Sequence, residues 1–203
     1  SYFWGLKVAR GEASSPDVAV LAADGASKTD TVAAAAQEPE IEGEKTELTT
    51  HLAGTVVPLA EVKDATFASG ALGDGTAVEP TEGKLLAPAD GKITVAFPTG
   101  HAYGMRTEDG LDLLMHIGMD TVELDGKHFT PRVAKGDTVK RGDVLAEFDI
   151  PAIKDAGYVL VTPLVITNAK KLTTAVRDAQ TSGASVAAGD NLLQVGLKEK
   201  TSA

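Results

Sequence analysis

The sequence predicts an all-β fold over residues 48–200, an antiparallel sandwich or barrel with a few short helices. Three observations predict it. Short apolar runs recur along this stretch, rich in Val, Ile, Leu and Thr. Pro88, Asp90-Gly91, Asp109-Gly110, Gly136-Asp137 and Gly142-Asp143 cut those runs at turn-like positions. Helical signals are few and short.

The runs fall at residues 55–59, 76–78, 84–86, 91–97, 104–107, 111–117, at Val133, and at 144–148 and 159–167. Residues 58–62 and 151–156 read as single helical turns, and 169–180 as a short surface helix. A weak internal repeat pairs A-P-A-D-G-K-I at 87–93 with the doubled K-G-D/R-G-D element at 135–143. These turns resemble those of biotinyl and lipoyl carrier domains, which share a duplicated hybrid-motif architecture. No modified lysine at a hairpin tip is expected, and Lys135 and Lys140 read as exposed turn residues. Architecture of this kind carries no function by itself.

Upstream, the texture differs. Residues 10–47 are rich in Ala, Ser, Thr, Asp and Glu, with Glu38, Glu40, Glu42 and Glu44 at alternate positions. Nothing there gives a helix a face to bury, so a flexible, self-repelling acidic linker is expected. About 40 such residues would reach roughly 35 Å root-mean-square. Residues 1–9, SYFWGLKVA, concentrate three aromatics before the composition changes.

Composition excludes several classes. The net charge of −10 opposes binding to nucleic acid. No run of about 20 apolar residues is long enough to span a bilayer. Without cysteine the chain has neither a disulfide framework nor a thiol nucleophile, which suits a cytosolic protein. The 43% hydrophobic fraction supports a packed core despite only 4% aromatic residues. Ser1 in place of an initiator Met suggests a fragment of a longer chain.

The densest chemistry lies in PTGHAYGMRTEDGLDLLMHIGMDTV, residues 98–122. It holds two of the four histidines, His101 and His116, with a Glu-Asp-Gly turn signal between them. If Asp109-Gly110 form the turn, Tyr103 faces His116, and His101 is a diagonal neighbour roughly 7–8 Å away. If Glu108-Asp109 form it, His101 faces His116 at about 5 Å. A register between these two puts the rings on opposite faces. A histidine pair of this kind suits metal ligation, proton transfer or retention of a phosphoryl group on a ring nitrogen. Two unrelated surface histidines are the plain alternative.

The block TGHAYGMRTEDGLDLLMHIGMDTVELDGKHF, followed by VAKGDTVKRGDVLAEFD, resembles the enzyme IIA component of the bacterial phosphoenolpyruvate-dependent sugar phosphotransferase system, glucose superfamily. The likeness continues upstream through VVPLAEVKDATFASGALGDGTAVEPTEGKLLAPADGKI and downstream through TPLVITN and SVAAGDNLLQV, covering roughly residues 48–198. It implies that His116 is the phosphorylated nucleophile, accepting a phosphoryl group from the carrier HPr and passing it to a IIB cysteine. His101 would stabilise the phosphoryl oxygens, and Thr99 would orient His101. Enteric glucose-specific proteins have Thr-Asn-His where this chain has Thr99-Gly100-His101.

The same resemblance implies that Asp64 and Asp120 meet a basic residue of HPr. Phe67, Leu72, Phe97 and Leu114 match the apolar rim of the docking surface. His51 and His128 fall outside the constellation and are expected to be solvent-exposed. No cofactor is required on this reading, although His101 and His116 are the two side chains that could ligate zinc. β-Glucoside and sucrose-type permeases run IIB, IIC, IIA, so residues 1–9 are the expected end of a membrane IIC domain. The IIA unit would then be cytoplasmic and tethered to the inner face of the membrane. Two alternatives remain open: a regulatory binding module acting through the same histidine face, and a zinc hydrolase of related fold. The second lacks the His-x-His pair that such enzymes need.

Overall fold

The computed structural model describes residues 41–199, which lie within one compact unit. Expectations for residues 1–9, and for the linker as far as residue 40, lie outside the described residues. The strands are β1 (Lys45–Thr49), β2 (Gly54–Val57), β3 (Asp74–Pro80), β4 (Lys84–Leu86), β5 (Gly91–Ala96), β6 (Ala102–Thr107) and β7 (Asp112–His116). They continue with β8 (Phe129–Pro131), β9 (Thr138–Val139), β10 (Val144–Phe148), β11 (Thr162–Ile166), β12 (Thr173–Asp178), β13 (Ser185–Val186) and β14 (Asn191–Leu197). Helices are single turns or little more: α1 (Ala65–Ala68), α2 (Ile150–Asp155) and α3 (Ala169–Leu172).

Every pairing is antiparallel. The large sheet runs β13-β2-β3-β11-β7-β6-β5-β9, and two three-stranded sheets run β1-β14-β12 and β4-β10-β8. The sheets do not close into a barrel, so the sandwich alternative holds. The main core takes Leu48, Val78, Tyr103, Met105, Met115, Leu145 and Leu164, among others. A second, smaller cluster of Val62, Phe67, Ala77, Met119 and Val165 is separate from it. Alternation along the strands divides their side chains between the two. In β7, Leu113 and Met115 enter the main core, while Leu114 packs against the small cluster. His116, at the end of β7, shares the Leu114 side.

Three readings of the sequence are corrected. The stretch 169–180 is helical only over α3; from Thr173 it becomes β12, which pairs with β14 from Thr173↔Leu197 to Asp178↔Leu193. Thr173, Thr174 and Val176 are β-branched, and a partner strand about twenty residues away supplies the ladder that local pattern cannot announce. Val133 lies outside any strand, and the neighbouring strand is β8. The ordered domain also begins before residue 48. β1 starts at Lys45 and pairs with β14, and Ile41 is buried over Gly196, where an added Cβ would collide with its Cγ2.

His51 is a fourth correction. It is fully buried, not exposed, in the link between β1 and β2. Its Nε2–H donates to the Thr162 carbonyl at 2.9 Å, and its Nδ1 has no partner. His128 is exposed, as expected. Burial pushes the His51 pKa down to about 4, against the raising effect of the Thr162 bond.

Two predictions follow from this architecture. A chain trimmed to begin at Leu48 should be less stable than one beginning at Ile41 by at least the ~1.5–3 kcal/mol of burying one isoleucine. Its thermal midpoint should fall by several degrees, and equal midpoints would place 41–47 outside the fold. For His51 the folded pKa lies below the unfolded value of 6.5, so its stabilisation is complete above pH 6.5. It is lost as pH falls from there toward 4, by about 3 kcal/mol for this one group. Urea unfolding of His51→Gln should therefore show a shallower loss across that window than wild type; parallel curves would contradict a neutral buried His51.

Candidate active site

The site is built on the β6–β7 hairpin and the link that precedes it. The hairpin register is the one that lies between the two expected from the sequence. Tyr103 faces Met115 and Ala102 faces His116. The link is the three residues Glu108-Asp109-Gly110, closed by Thr107 N–H donating to Leu111 O (2.9 Å) and Gly110 N–H donating to Thr107 O (3.0 Å). Gly110 takes φ +89, as a three-residue hairpin link requires at its last position. In a continuous ladder this register would separate the two imidazoles.

They meet nonetheless, with ring centroids 4.9 Å apart and planes at 70°. The reason is that His101 precedes β6 and escapes its alternation. Phe97 N–H donates to Ala102 O and Gly100 N–H to Phe97 O, closing a tight link between β5 and β6. Gly100 takes φ +70, and a Cβ there would press on Pro131 Cγ at 3.0 Å and Phe129 Cβ at 3.1 Å. The left-handed turn re-aims the next residue, and His101 turns its ring toward His116.

Each ring has one nitrogen engaged. His116 Nδ1 lies 2.7 Å from the Gly118 carbonyl oxygen; a carbonyl only accepts, so Nδ1 carries the proton and Nε2 bears the free lone pair. His101 Nδ1 lies 2.5 Å from Thr99 Oγ1. Neither Nε2 has a hydrogen-bond partner within the protein among the described residues. His101 is buried and His116 half-buried.

Electrostatics keep both rings neutral. Desolvation, then the neighbouring His116, pushes the His101 pKa down to about 4. Desolvation also lowers the His116 pKa, against three opposing effects: the Gly118 carbonyl and the negative charges of Asp64 and Asp120. Both carboxylates thus act on the His116 ring. Asp64 caps α1, its Oδ1 accepting from Thr66 N–H at 2.8 Å and Phe67 N–H at 3.1 Å. Asp120 is exposed in the left-handed region at φ 57, two residues after Gly118.

The apolar residues singled out from the sequence surround the pair. Asp64, Phe67, Leu72, Phe97 and Leu114 line one depression with both histidines. The structure sorts rim from core among them. Phe97 is 41% exposed and lies 5.2 Å from the His101 ring; Phe67 is buried and lies 5.8 Å from the His116 ring. Leu72 and Leu114 are half-buried. Val122, half exposed, completes the rim and was missed in the sequence. Its signal was an isolated aliphatic residue between Thr121 and Glu123 in a polar stretch. The Gly118 carbonyl was missed too, since a backbone acceptor two residues after a histidine has no sequence signature beyond the glycine. Gly118 takes φ +68, and a Cβ there would lie 2.6 Å from Val159 O. Among the described residues no group of three His, Cys, Asp or Glu side chains is arranged to hold a metal ion. No helix of the described residues is long and apolar enough to cross a membrane.

Comparison with known proteins identifies the family. Residues 46–172 match the family described as phosphoenolpyruvate-dependent sugar phosphotransferase system, EIIA 1. The β-glucoside-specific EIIBCA component of Halalkalibacterium halodurans is 49% identical over 154 residues, which are 75% of this chain and 24% of that protein. The corresponding component of Dickeya chrysanthemi is 54% identical over 119 residues, 59% of this chain and 19% of that one. The chain therefore spans about a quarter or less of these relatives. The glucose-specific EIIA component of H. halodurans is 43% identical over 130 residues, covering 64% of this chain and 75% of that protein. The solved glucose permease IIA from Mycoplasma capricolum superposes with a TM-score of 0.67 at 34% identity, over 75% of this chain and 96% of that one. A family match over more than half the chain and a shared β-sandwich converge: the chain belongs to the EIIA 1 family of the phosphoenolpyruvate-dependent sugar phosphotransferase system.

Proposed function

We propose that His116 Nε2 accepts the phosphoryl group from phosphorylated HPr and hands it to a cysteine of a IIB domain. The observation that carries this reading is the paired engagement of the two Nδ1 atoms, which leaves both Nε2 atoms beside one depression. In the first step the His116 Nε2 lone pair forms an N–P bond as the N–P bond to the donor ring breaks. The bonding pair returns to the donor nitrogen. In the second, a cysteine thiolate forms an S–P bond while the His116 N–P bond breaks.

Attack through Nε2 places positive charge on the His116 ring, whose Nδ1 keeps its proton. The Gly118 carbonyl and the carboxylates of Asp64 and Asp120 all favour that charge. The resting ring stays neutral and nucleophilic through desolvation, and the phosphorylated ring is stabilised as a leaving group. With a loose transition state, the remaining need is donors for the phosphoryl oxygens. A Thr99 hydroxyl that donates to His101 Nδ1 leaves the His101 proton on Nε2, where it can serve as that donor. A His101 pKa of about 4 keeps this ring a neutral donor throughout the physiological range.

Exposed Phe97 and Val122, with Leu72 and Leu114 behind them, suit docking of an apolar partner patch. Asp64 and Asp120 beside this patch suit a basic residue of HPr. The likeness to EIIBCA components supports service to IIB and IIC domains of a β-glucoside-type permease, with this unit on the cytoplasmic side and tethered through its linker. No cofactor enters either step.

Intact-mass measurement after incubation with phosphoenolpyruvate, enzyme I and HPr tests the reading. Wild type should gain one acid-labile phosphoryl group that maps to His116, and His116→Ala should gain none; labelling of His116→Ala would overturn the assignment. His101→Gln should still accept phosphate but pass it on about 100-fold or more slowly, the usual cost of one transition-state donor. Unaltered onward transfer by that variant would remove His101 from the mechanism.

A further inference from the structure

Among the described residues, His51 is the one buried histidine that the phosphoryl-transfer site does not use. It lies far from His116 in sequence and on no strand that carries the site. Hydrogen bonds nevertheless connect the two. His51 Nε2–H donates to Thr162 O at 2.9 Å. The Thr162 hydroxyl accepts from Gly118 N–H at 3.2 Å and donates to Leu160 O at 2.7 Å. Gly118 O accepts from His116 Nδ1 at 2.7 Å. Gly118 is thus held by both its backbone groups, with the nucleophile on one side and Thr162 on the other.

We infer that His51 is a positioning residue for the nucleophile: acting through Thr162 and Gly118, it holds the carbonyl that keeps the His116 proton on Nδ1. The inference rests on His116 being the phosphoryl acceptor. Three features favour it over a histidine that merely fills space. Its Nδ1 is buried without a partner, a cost that an apolar side chain of similar size would avoid. Its backbone is anchored separately, with His51 O accepting from Leu86 N–H at 2.8 Å, so the ring is free to be used for aiming. Thr162 itself is fully buried and begins β11, the strand that pairs with β7 behind the site. Because burial keeps His51 neutral down to a pH of about 4, its Nε2 stays the donor wherever the carrier works.

Gly118 needs such support. It sits in the left-handed region beyond the end of β7, where the peptide carrying its carbonyl is held by Met119 N–H donating to Val159 O at 2.9 Å and the preceding peptide by Gly118 N–H donating to Thr162. A small rotation of that peptide would release Nδ1 and let the proton move to Nε2, which would remove the attacking lone pair. Misplacement of a reacting group by about 1 Å can cost about 100-fold in rate.

The test uses the whole chain and two readouts. Nitrogen NMR of histidine-labelled, unphosphorylated protein reports which His116 ring nitrogen carries the proton. Rapid-quench labelling with phosphorylated HPr reports acceptance at saturating donor. His51→Leu is expected to leave His116 as a mixture of tautomers and slow acceptance about tenfold or more, with the donor concentration for half-maximal rate unchanged. His51→Gln, whose side-chain amide can donate to the same carbonyl, is expected to restore both. A folded His51→Leu protein with the wild-type tautomer and rate, however much its melting point falls, overturns the inference. Should His51→Leu not fold, Thr162→Val removes the acceptor for Gly118 N–H within β11. It is expected to produce the same mixture and Thr162→Ser to cure it, while a wild-type tautomer in Thr162→Val is the overturning result. Failure of wild type to label on His116 would sink the phosphoryl-acceptor reading, whereas the tautomer measurement judges His51 on its own.

Discussion

Alternation along β7 is the constraint from which the rest of the site derives. Leu113 and Met115 must enter the main core, so Leu114 and His116 are turned to the opposite face of the large sheet. A polar ring at the strand's last position costs no core packing, and the chain is free to bend immediately afterward. The left-handed Gly118 and Asp120 follow within four residues. One backbone carbonyl is thereby brought back onto Nδ1, and one carboxylate is brought near the ring. Rotating β7 by one residue would bury His116 and expose Met115, at a cost no local adjustment could offset.

Around this strand the protein assembles two kinds of support. Rigid support comes from sheet pairing, with β6 on one side of β7 and β11 on the other. Precise support comes from short loops: the Gly100 turn that aims His101, the Asp64 cap that fixes α1 and Phe67, and the Gly118 turn. The small apolar cluster joins them, because Phe67 contacts both its interior and the His116 ring. The candidate site and the packing therefore meet at the same side chains, which line one depression with both rings.

The electrostatic arrangement is one of opposed tendencies. Burial favours neutral imidazoles, which suits attack; the Gly118 carbonyl, Asp64 and Asp120 favour a charged His116, which suits departure. The proposed role requires cargo to be bound and then released, so neither tendency can dominate. His101 feels desolvation and the neighbouring ring without a carboxylate among its influences, and it remains neutral.

Much of this was legible in the chain itself. The segments at 84–86, 91–97 and 144–148, the turns around 58–62 and 151–156, and the choice of His101, His116 and Thr99 as candidate site residues follow from pattern, turn chemistry and motif. These are local properties, encoded where they act. The register of β6 and β7 was not legible, because Glu108-Asp109-Gly110 is compatible with several turns and long-range burial of Tyr103, Met105, Leu113 and Met115 makes the choice. Nor was the bend that reunites His101 with His116 despite that register. β12 was hidden for the same reason, since its partner β14 is distant in sequence. His51 reads as a polar residue between Thr50 and Leu52, and only the packing of the β1–β2 link over Thr162 buries it. The sequence by itself determined which side chains are available for chemistry and the alternation that sorts them. Tertiary structure decided which of them touch, because contact depends on pairing energies summed over strands that no single stretch contains.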